Sequence, residues 1–240
     1  MKGCFSGWRG AAEQTSSRID CTISSGKDRV RLRPGAGERL AALRPNFSIL
    51  RVQSGAPVSV RFTSSFGHHD GRADREGPIT LDFPAAVLTE TAVPNGLAAA
   101  LRAEPGDATS TGTLGDLIVS MDDEATVRDL QPDIGALAEV IEHNDLRGVI
   151  VTAPARRRGA AHDFVSRFFA PAATGMPEDP VTGSAHTALA PFWSIRLGKA
   201  ELTGLQASQR TGLVHVALRE DRVLLSGDAV TALEGLLHLP

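Results

Sequence analysis

The stretch Ser184-Ala-His-Thr-Ala-Leu-Ala-Pro-Phe-Trp-Ser-Ile-Arg-Leu197 (SAHTALAPFWSIRL) decides the fold. Its apolar residues, Trp193 and Ile195 among them, occupy most of the circumference of a helix, whereas a surface helix carries them on one face. Such a helix must be enclosed, and we expect strands to curl around it. Gly198 supplies the C-terminal stop, and Pro191 removes one backbone donor, a loss that packing has to compensate.

Short strands and helices are predicted on both sides of this segment. Alternating or continuous apolar patterns predict strands at 79–83, 117–121, 148–152, 163–169, 214–218 and 222–225, with further short strands within 230–239. Capping residues predict helices after Asp123 and from Pro132. Residues 1–57 offer one clear alternation, at 29–34. The sequence therefore predicts an α+β chain rich in antiparallel hairpins, with an irregular N-terminal region.

Composition excludes several classes of protein. The 240 residues include two cysteines, Cys4 and Cys21, so a disulfide framework is not expected. No apolar run of 18 residues and no signal peptide are found, which predicts a cytoplasmic protein without membrane attachment. Residues 1–78 hold 13 Lys and Arg against 7 Asp and Glu, whereas residues 79–240 hold 12 against 21. The basic part lacks a compact cluster and stacking aromatics, so nucleic-acid binding is not expected.

The segment before the helix, GMPEDPVTGSAH at 175–186, has the composition of a binding site. Pro180 favours an extended conformation at Asp179, which directs this carboxylate away from the helix axis. Thr182, Gly183 and Ser184 form a turn with a capping residue, and free N–H groups there make an anion site. The site could hold a carboxylate beside a group that exchanges protons. The alternative is an elaborate helix cap, with His186 a packed core residue.

The run from Arg167 to Lys199, RFFAPAATGMPEDPVTGSAHTALAPFWSIRLGK, resembles the signature of the phenazine-biosynthesis PhzF-like family. Looser similarity extends through 79–84, 123–130, 147–153 and 206–235. The resemblance implies a diaminopimelate epimerase-like fold with two curled-sheet lobes, each around a central helix. The lobes would span 1–84 and 85–240, with the N-terminal lobe incomplete, and the last strand could return to it.

The resemblance also implies a function. Family members isomerise small carboxylate-bearing metabolites by proton transfer, without a metal or cofactor, and form homodimers. Carried over to this sequence, Asp179 would assist proton transfer or hold the substrate, and Ser184 would act with it as a catalytic residue. Thr182, Gly183 and Ser184 would bind the substrate carboxylate. The expected partner is a small organic acid.

Two family motifs are missing from the N-terminal part of the chain. The general base of the family is a glutamate in a Ser-Glu-Thr stretch, and its partner histidine lies in a Cys-Gly-His-Ala-Thr motif. The best local match to the first, at 11–18, places Arg18 where the base would stand, and a guanidinium accepts no proton. A diverged lobe and a segment read in the wrong frame both explain this loss. The alternative function is therefore an impaired family member that only binds an organic acid.

Other polar clusters support no site. His68, His69 and Asp70 are adjacent residues whose side chains diverge, and no third ligand is suitably spaced, so a metal site is not expected. A third function, a non-enzymatic interaction protein, requires that the segment at 175–186 serve only as a helix cap.

Overall fold

The computed structural model describes residues 78–156, 160–171 and 177–228 in full, and the backbone of strands at 21–25, 28–32, 58–64 and 67–73. We also expect residues 1–57 not to build a complete lobe and strands to form within 230–239. Both expectations lie outside the fully described residues.

Fourteen strands are found in the described chain. Their bounds are β1 Cys21–Ser25, β2 Asp28–Leu32, β3 Val58–Ser64, β4 Gly67–Ala73, β5 Ile79–Pro84, β6 Thr89–Thr91, β7 Ala108–Ser110, β8 Asp116–Ser120, β9 Gly148–Pro154, β10 Phe164–Phe169, β11 Glu178–Asp179, β12 Glu201–Gln206, β13 Gly212–Arg219 and β14 Arg222–Gly227. Every strand predicted within the fully described ranges is present. The α+β class is confirmed.

Within the fully described ranges the structure has four complete α-helices: α1 Leu97–Leu101, α2 Glu124–Asp129, α3 Ile134–His143 and α4 Gly183–Leu197, with a 3-10 turn at Gly112–Leu114. Asp123 caps α2 as predicted, whereas α3, predicted from Pro132, begins at Ile134 and is capped by Asp133. Each aspartate accepts a backbone N–H from the residue three positions ahead. The stop predicted for α4 is also correct. Gly198 caps it in the left-handed region, with φ of 65°.

The strands join in one sheet whose order is β2-β1-β3-β4-β5-β14-β13-β12-β10-β9-β8-β7-β6, while β11 pairs with β10. Strand β5 pairs with β4 on one side and β14 on the other. Two pairs are parallel, β8 with β9 and β10 with β12, and helices connect both pairs. Both connections move in the same direction along the sheet, and such crossovers are right-handed. Because β9 and β10 are antiparallel, the two crossovers lie on opposite faces, with α2 and α3 on one face and α4 on the other.

The central strands are buried on both faces as a result. One core cluster packs α1, α2 and α3 against residues such as Val119, Val151 and Val165, and the other packs α4 against Ile118, Ile150 and Phe164. All six residues of β10 are buried. The alternation at 163–169 therefore does not mark a strand with one solvent-exposed face, because its polar side chains are buried with the apolar ones.

Helix α4 is enclosed by the sheet, as its sequence predicts. Seven neighbouring strands, β5, β14, β13, β12, β10, β9 and β8, contribute residues to the cluster around it. At about 4.8 Å between strands, seven flat strands would span about 29 Å, far more than the helix diameter of about 10–12 Å. The sheet must curl to make these contacts. Leu189 is inaccessible and Trp193 is 4% exposed, but Ile195 is 79% exposed, so the apolar surface is less complete than expected.

The loss caused by Pro191 is compensated by the chain that follows β5. Proline has no N–H to offer the carbonyl of Thr187, four residues earlier in the helix. That carbonyl instead accepts the backbone N–H of Ala86, at 3.2 Å. The proline thus frees an acceptor that ties the segment after β5 to α4.

Gly204 on β12 sets how closely α4 approaches the sheet, which yields the first prediction. A Cβ there would lie 2.5 Å from Cζ of Phe164 and 3.1 Å from Nε2 of His186. We expect Gly204→Ala to lower the free energy of unfolding by about 1–3 kcal/mol, as overpacked cores do, measured by urea denaturation.

Gly135→Ala is the matched control. Gly135 lies in α3, where a Cβ would come no closer than 3.5 Å to the carboxylate of Asp133. This variant should be neutral or up to about 1 kcal/mol more stable, because alanine favours helix. Equal stability of the two variants would show that α4 does not need the glycine.

Candidate functional site

Asp179 lies in the short strand β11, opposite Phe168 of β10, so the extended conformation predicted from Pro180 is present. Its side chain is 9% exposed. The carboxylate oxygen Oδ2 accepts a hydrogen bond from the hydroxyl of Thr182 at 2.8 Å. This bond fixes the carboxylate against the start of α4 rather than leaving it in solvent.

Gln206, at the end of β12, joins Asp179 and Thr182. Its amide nitrogen donates to the Asp179 carbonyl at 2.7 Å and to Oγ1 of Thr182 at 3.2 Å. Its amide oxygen accepts the Thr182 N–H at 2.7 Å. Since Gln206 is inaccessible to solvent, these bonds form a rigid polar bracket beneath the turn. Gln206 was not among the site residues predicted from the sequence.

Arg167 and Glu178 hold β11 from the other side. The Arg167 guanidinium donates to both carboxylate oxygens of Glu178, at 2.7 and 2.8 Å. The same guanidinium donates to the Leu130 carbonyl at 2.7 Å, next to the end of α2. A two-residue strand is thereby anchored by a partly buried, bidentate ion pair.

The start of α4 differs from the sequence-based expectation in one respect. The N-cap residue is Thr182, not Ser184, and its hydroxyl makes no cap bond because it donates to Asp179. Across the described residues, no hydrogen bond reaches the backbone N–H groups of Gly183, Ser184 or Ala185. These N–H groups and the positive end of the helix dipole can receive an anion.

Arg147 contacts this helix start from the loop before β9. Its Nη2 donates to Oγ of Ser184 at 3.0 Å. The same guanidinium pairs with Asp116 at the start of β8: Nε lies 2.9 Å from Oδ1, and Nη2 donates to Oδ2. Nε also donates to the carbonyl of Leu114 at 3.1 Å, and the guanidinium lies 5.3 Å from the ring centre of Phe168.

Neither Arg147 nor Asp116 was singled out in the sequence. Each residue directly precedes a predicted strand, Asp116 the one at 117–121 and Arg147 the one at 148–152. The parallel register places Asp116 opposite Gly148, beside Arg147. The sequence signal that could have identified this pair is the presence of two opposite charges at the starts of adjacent parallel strands. Burial raises the pKa of Asp116 to about 6, and the charge of Arg147 opposes that rise. The Asp116 side chain is wholly buried, whereas that of Arg147 is 34% exposed and reaches solvent.

His186 is a core residue, as in the alternative interpretation of the sequence. Its Nδ1 lies 2.7 Å from the carbonyl of Thr182, and the ring is inaccessible to solvent. Burial lowers its pKa to about 4, although the bond to Thr182 favours the charged form. The ring is therefore neutral at physiological pH, with Nδ1–H donating, while Nε2 faces Gly204 and makes no hydrogen bond in the described structure.

Two broader properties of the described residues bear on function. They contain no group of three or more His, Cys, Asp or Glu that could hold a metal ion. None of their helices is both long enough and apolar enough to cross a bilayer.

Comparisons with known proteins match most of the chain. A family model described as phenazine biosynthesis-like protein (PhzC-PhzF) matches residues 37–235. An uncharacterised isomerase of Pseudomonas aeruginosa is 41% identical over 80% of this chain and 68% of its own length, and a second from that bacterium is 44% identical over 70% and 60%.

A solved structure has the same fold. The crystal structure of a phenazine biosynthesis protein of the PhzF family from Enterococcus faecalis superposes with a TM-score of 0.62 at 34% identity, covering 74% of this chain and 62% of that one. The fold is consistent with the predicted diaminopimelate epimerase-like architecture. The present chain spans about 60–68% of the length of these relatives.

The bracket formed by Gln206 provides the second prediction. Gln206→Leu leaves the Thr182 N–H and the Asp179 carbonyl without the amide that joins them. Each buried group that loses its partner costs about 1–3 kcal/mol, so the free energy of unfolding should fall by about 2–6 kcal/mol, measured by urea denaturation.

The control is Thr203→Val on the same strand, which removes an exposed bond to His215. It should change stability by less than about 1 kcal/mol. A Gln206→Leu protein as stable as this control would show that the bracket contributes little.

The third prediction follows from the depressed pKa of His186. The unfolded chain binds a proton on this ring near pH 6.5, but the folded chain does so only near pH 4. The stabilising contribution is therefore fully present above pH 6.5 and is lost as pH falls to 4, by up to about 3 kcal/mol.

His186→Asn isolates this contribution from other titrating groups, among them Asp116, whose raised pKa acts in the opposite sense. Asparagine keeps a donor for the Thr182 carbonyl but does not titrate. The stability advantage of the wild type over this variant should shrink between pH 7 and pH 4, followed by urea denaturation. An advantage that is constant with pH would contradict the assignment of a neutral buried ring.

Proposed function

Because the chain belongs to the phenazine biosynthesis-like (PhzC-PhzF) family, we propose that it is an isomerase that moves a proton within a small carboxylate-bearing metabolite. One structural observation carries the proposal. The buried carboxylate of Asp179 and the unpaired donors at Gly183 and Ser184 lie at the two ends of one turn, which Gln206 and Arg147 hold in place.

The donors at the start of α4 supply the binding step. A substrate carboxylate accepts the free N–H groups of Gly183 and Ser184 and the hydroxyl of Ser184, next to the helix dipole. Thr182 contributes by its backbone, since its hydroxyl already donates to Asp179. The guanidinium of Arg147 adds positive charge at the same place, so the helix start favours anions over neutral compounds.

Asp179 supplies or holds the proton that moves. An isomerisation removes a proton from one carbon and returns one to another, so the substrate keeps its formula and needs no redox partner. The chemistry proposed here uses acid and base groups alone, without a metal or an organic cofactor. A cytoplasmic location and a homodimer are further parts of the proposal, and both rest on the family resemblance.

A second candidate function is supported by the sequence. The stretch at 11–18 has Arg18 where the family resemblance places a glutamate base. A chain without that base would bind the organic acid and transfer its proton slowly, because a placed base is worth about 10²–10⁴ in rate. Binding and turnover therefore have to be measured separately.

The fourth prediction tests the proposal by deuterium uptake. A panel of small carboxylic acids with a C–H bond activated by the carboxylate or a conjugated alkene is incubated with enzyme in deuterated buffer and followed by NMR. At least one acid should exchange, while its primary amide should not, because the anion site requires charge. Asp179→Asn should slow exchange about 10²–10⁴-fold, and Ser184→Ala should weaken binding about tenfold.

Arg219→Met is the matched control, because it removes an exposed ion pair with Glu201 on another strand. It should behave as the wild type. Exchange as fast in Asp179→Asn as in the wild type, or equal exchange of acids and amides, would overturn the proposed isomerase. Binding of an acid without exchange would identify the second candidate function.

A further inference from the structure

We propose that Arg147, held by Asp116, is a positioning residue that orients the Ser184 hydroxyl so that it donates to the bound carboxylate. This inference rests on the proposed function, because it concerns the same anion site. It adds two residues, from the starts of β8 and β9, to a site otherwise formed by the segment at 179–184.

The direction of the Ser184 hydroxyl follows from its hydrogen bonds. A hydroxyl has one proton to donate and two lone pairs to accept with. Nη2 of Arg147 can only donate, so at 3.0 Å it occupies a lone pair of Ser184 Oγ. In the described structure, Ser184 Oγ donates to no acceptor. With one lone pair engaged by a cation, the hydroxyl proton is directed away from Arg147 and is available to an anion.

The position of Arg147 is fixed by contacts on several sides. Asp116 binds its guanidinium in the bidentate manner, the Leu114 carbonyl accepts from Nε, and the ring of Phe168 lies beside it. Asp116 is in turn fixed by its backbone, because its N–H donates to Oγ1 of Thr111 at 2.9 Å and its carbonyl accepts the Thr111 hydroxyl at 2.8 Å. A planar fork held in this way can support a second residue with defined geometry.

The arrangement differs from an ordinary structural ion pair. A pair that served only to join β8 and β9 would need no more than Asp116, which accepts from Nε and Nη2, and the carbonyl of Leu114, which accepts from Nε. The additional bond to Ser184 extends the same guanidinium to the helix start, and the Arg147 side chain remains 34% exposed.

The fifth prediction uses anthranilate as the carboxylate probe and titration calorimetry as the measurement, with the full chain. Arg147→Met and Ser184→Ala should each weaken anthranilate binding about tenfold, as expected when a charge-assisted hydrogen bond is lost. The double variant should bind no more than about threefold more weakly than the single variant with the lower affinity, because both changes remove one coupled contact and only the charge of Arg147 acts separately. Arg147→Lys should lie between the wild type and Arg147→Met, since an ammonium keeps the charge but cannot reproduce the fork.

Two further measurements separate positioning from folding. Thermal unfolding of each variant establishes that it is folded at the temperature of the titration. The Hα–Hβ couplings of Ser184, measured by NMR without ligand, should indicate one rotamer in the wild type and in the control Arg219→Met, and rotamer averaging in Arg147→Met.

Each outcome has a defined consequence. Equal anthranilate binding by the wild type and Arg147→Met overturns this inference and leaves the proposed function standing. Losses that add fully in the double variant also overturn it, because Arg147 would then contact the anion independently of Ser184. Absence of binding to the wild type itself, for anthranilate and for every acid in the exchange panel, overturns the proposed function and this inference together.

Discussion

The need to enclose helix α4 governs the rest of the described structure. A 15-residue helix with apolar groups on most sides requires neighbours on most sides, and seven adjacent strands supply them. Pro191 adds a second requirement, because the Thr187 carbonyl needs a donor from outside the helix and receives it from Ala86. The curl of the sheet and the path of the chain after β5 both follow from these demands.

The same helix connects the fold to the candidate site. Its first turn is buried at Thr182 and Gly183, so the polar groups there have to be satisfied by specific partners or left for a ligand. Gln206 satisfies the Thr182 N–H from below, and His186 engages the Thr182 carbonyl from within the helix. Among the described residues, none accepts from the N–H groups at 183–185, which adjoin a serine that the Arg147–Asp116 ion pair supports. The site is thus the part of the helix start that the protein does not use for its own stability.

Three ionisable side chains, Asp116, Arg147 and His186, set the charge near the start of α4. Asp116 is buried, and its raised pKa shows that burial outweighs the attraction of Arg147 for its charged form. Arg147 spreads one positive charge between that carboxylate and the Ser184 hydroxyl. His186, which could have added a second positive charge, is neutral because desolvation lowers its pKa. The local field that favours an anion therefore comes from one arginine and the helix dipole.

The sequence by itself determined the features that depend on neighbours along the chain. The cap at Asp123, a helix starting near Pro132, the extended Asp179 before Pro180 and the enclosed helix were all predicted, since each depends on residues a few positions apart. Only the tertiary structure decided which distant residues complete the site. Gln206 lies 24 positions from Thr182 and Arg147 lies 37 from Ser184, and strand order alone brings them together. The exposure of Ile195 and the burial of both faces of β10 were decided in the same way, because a local pattern records a side chain's polarity but not what the sheet places against it.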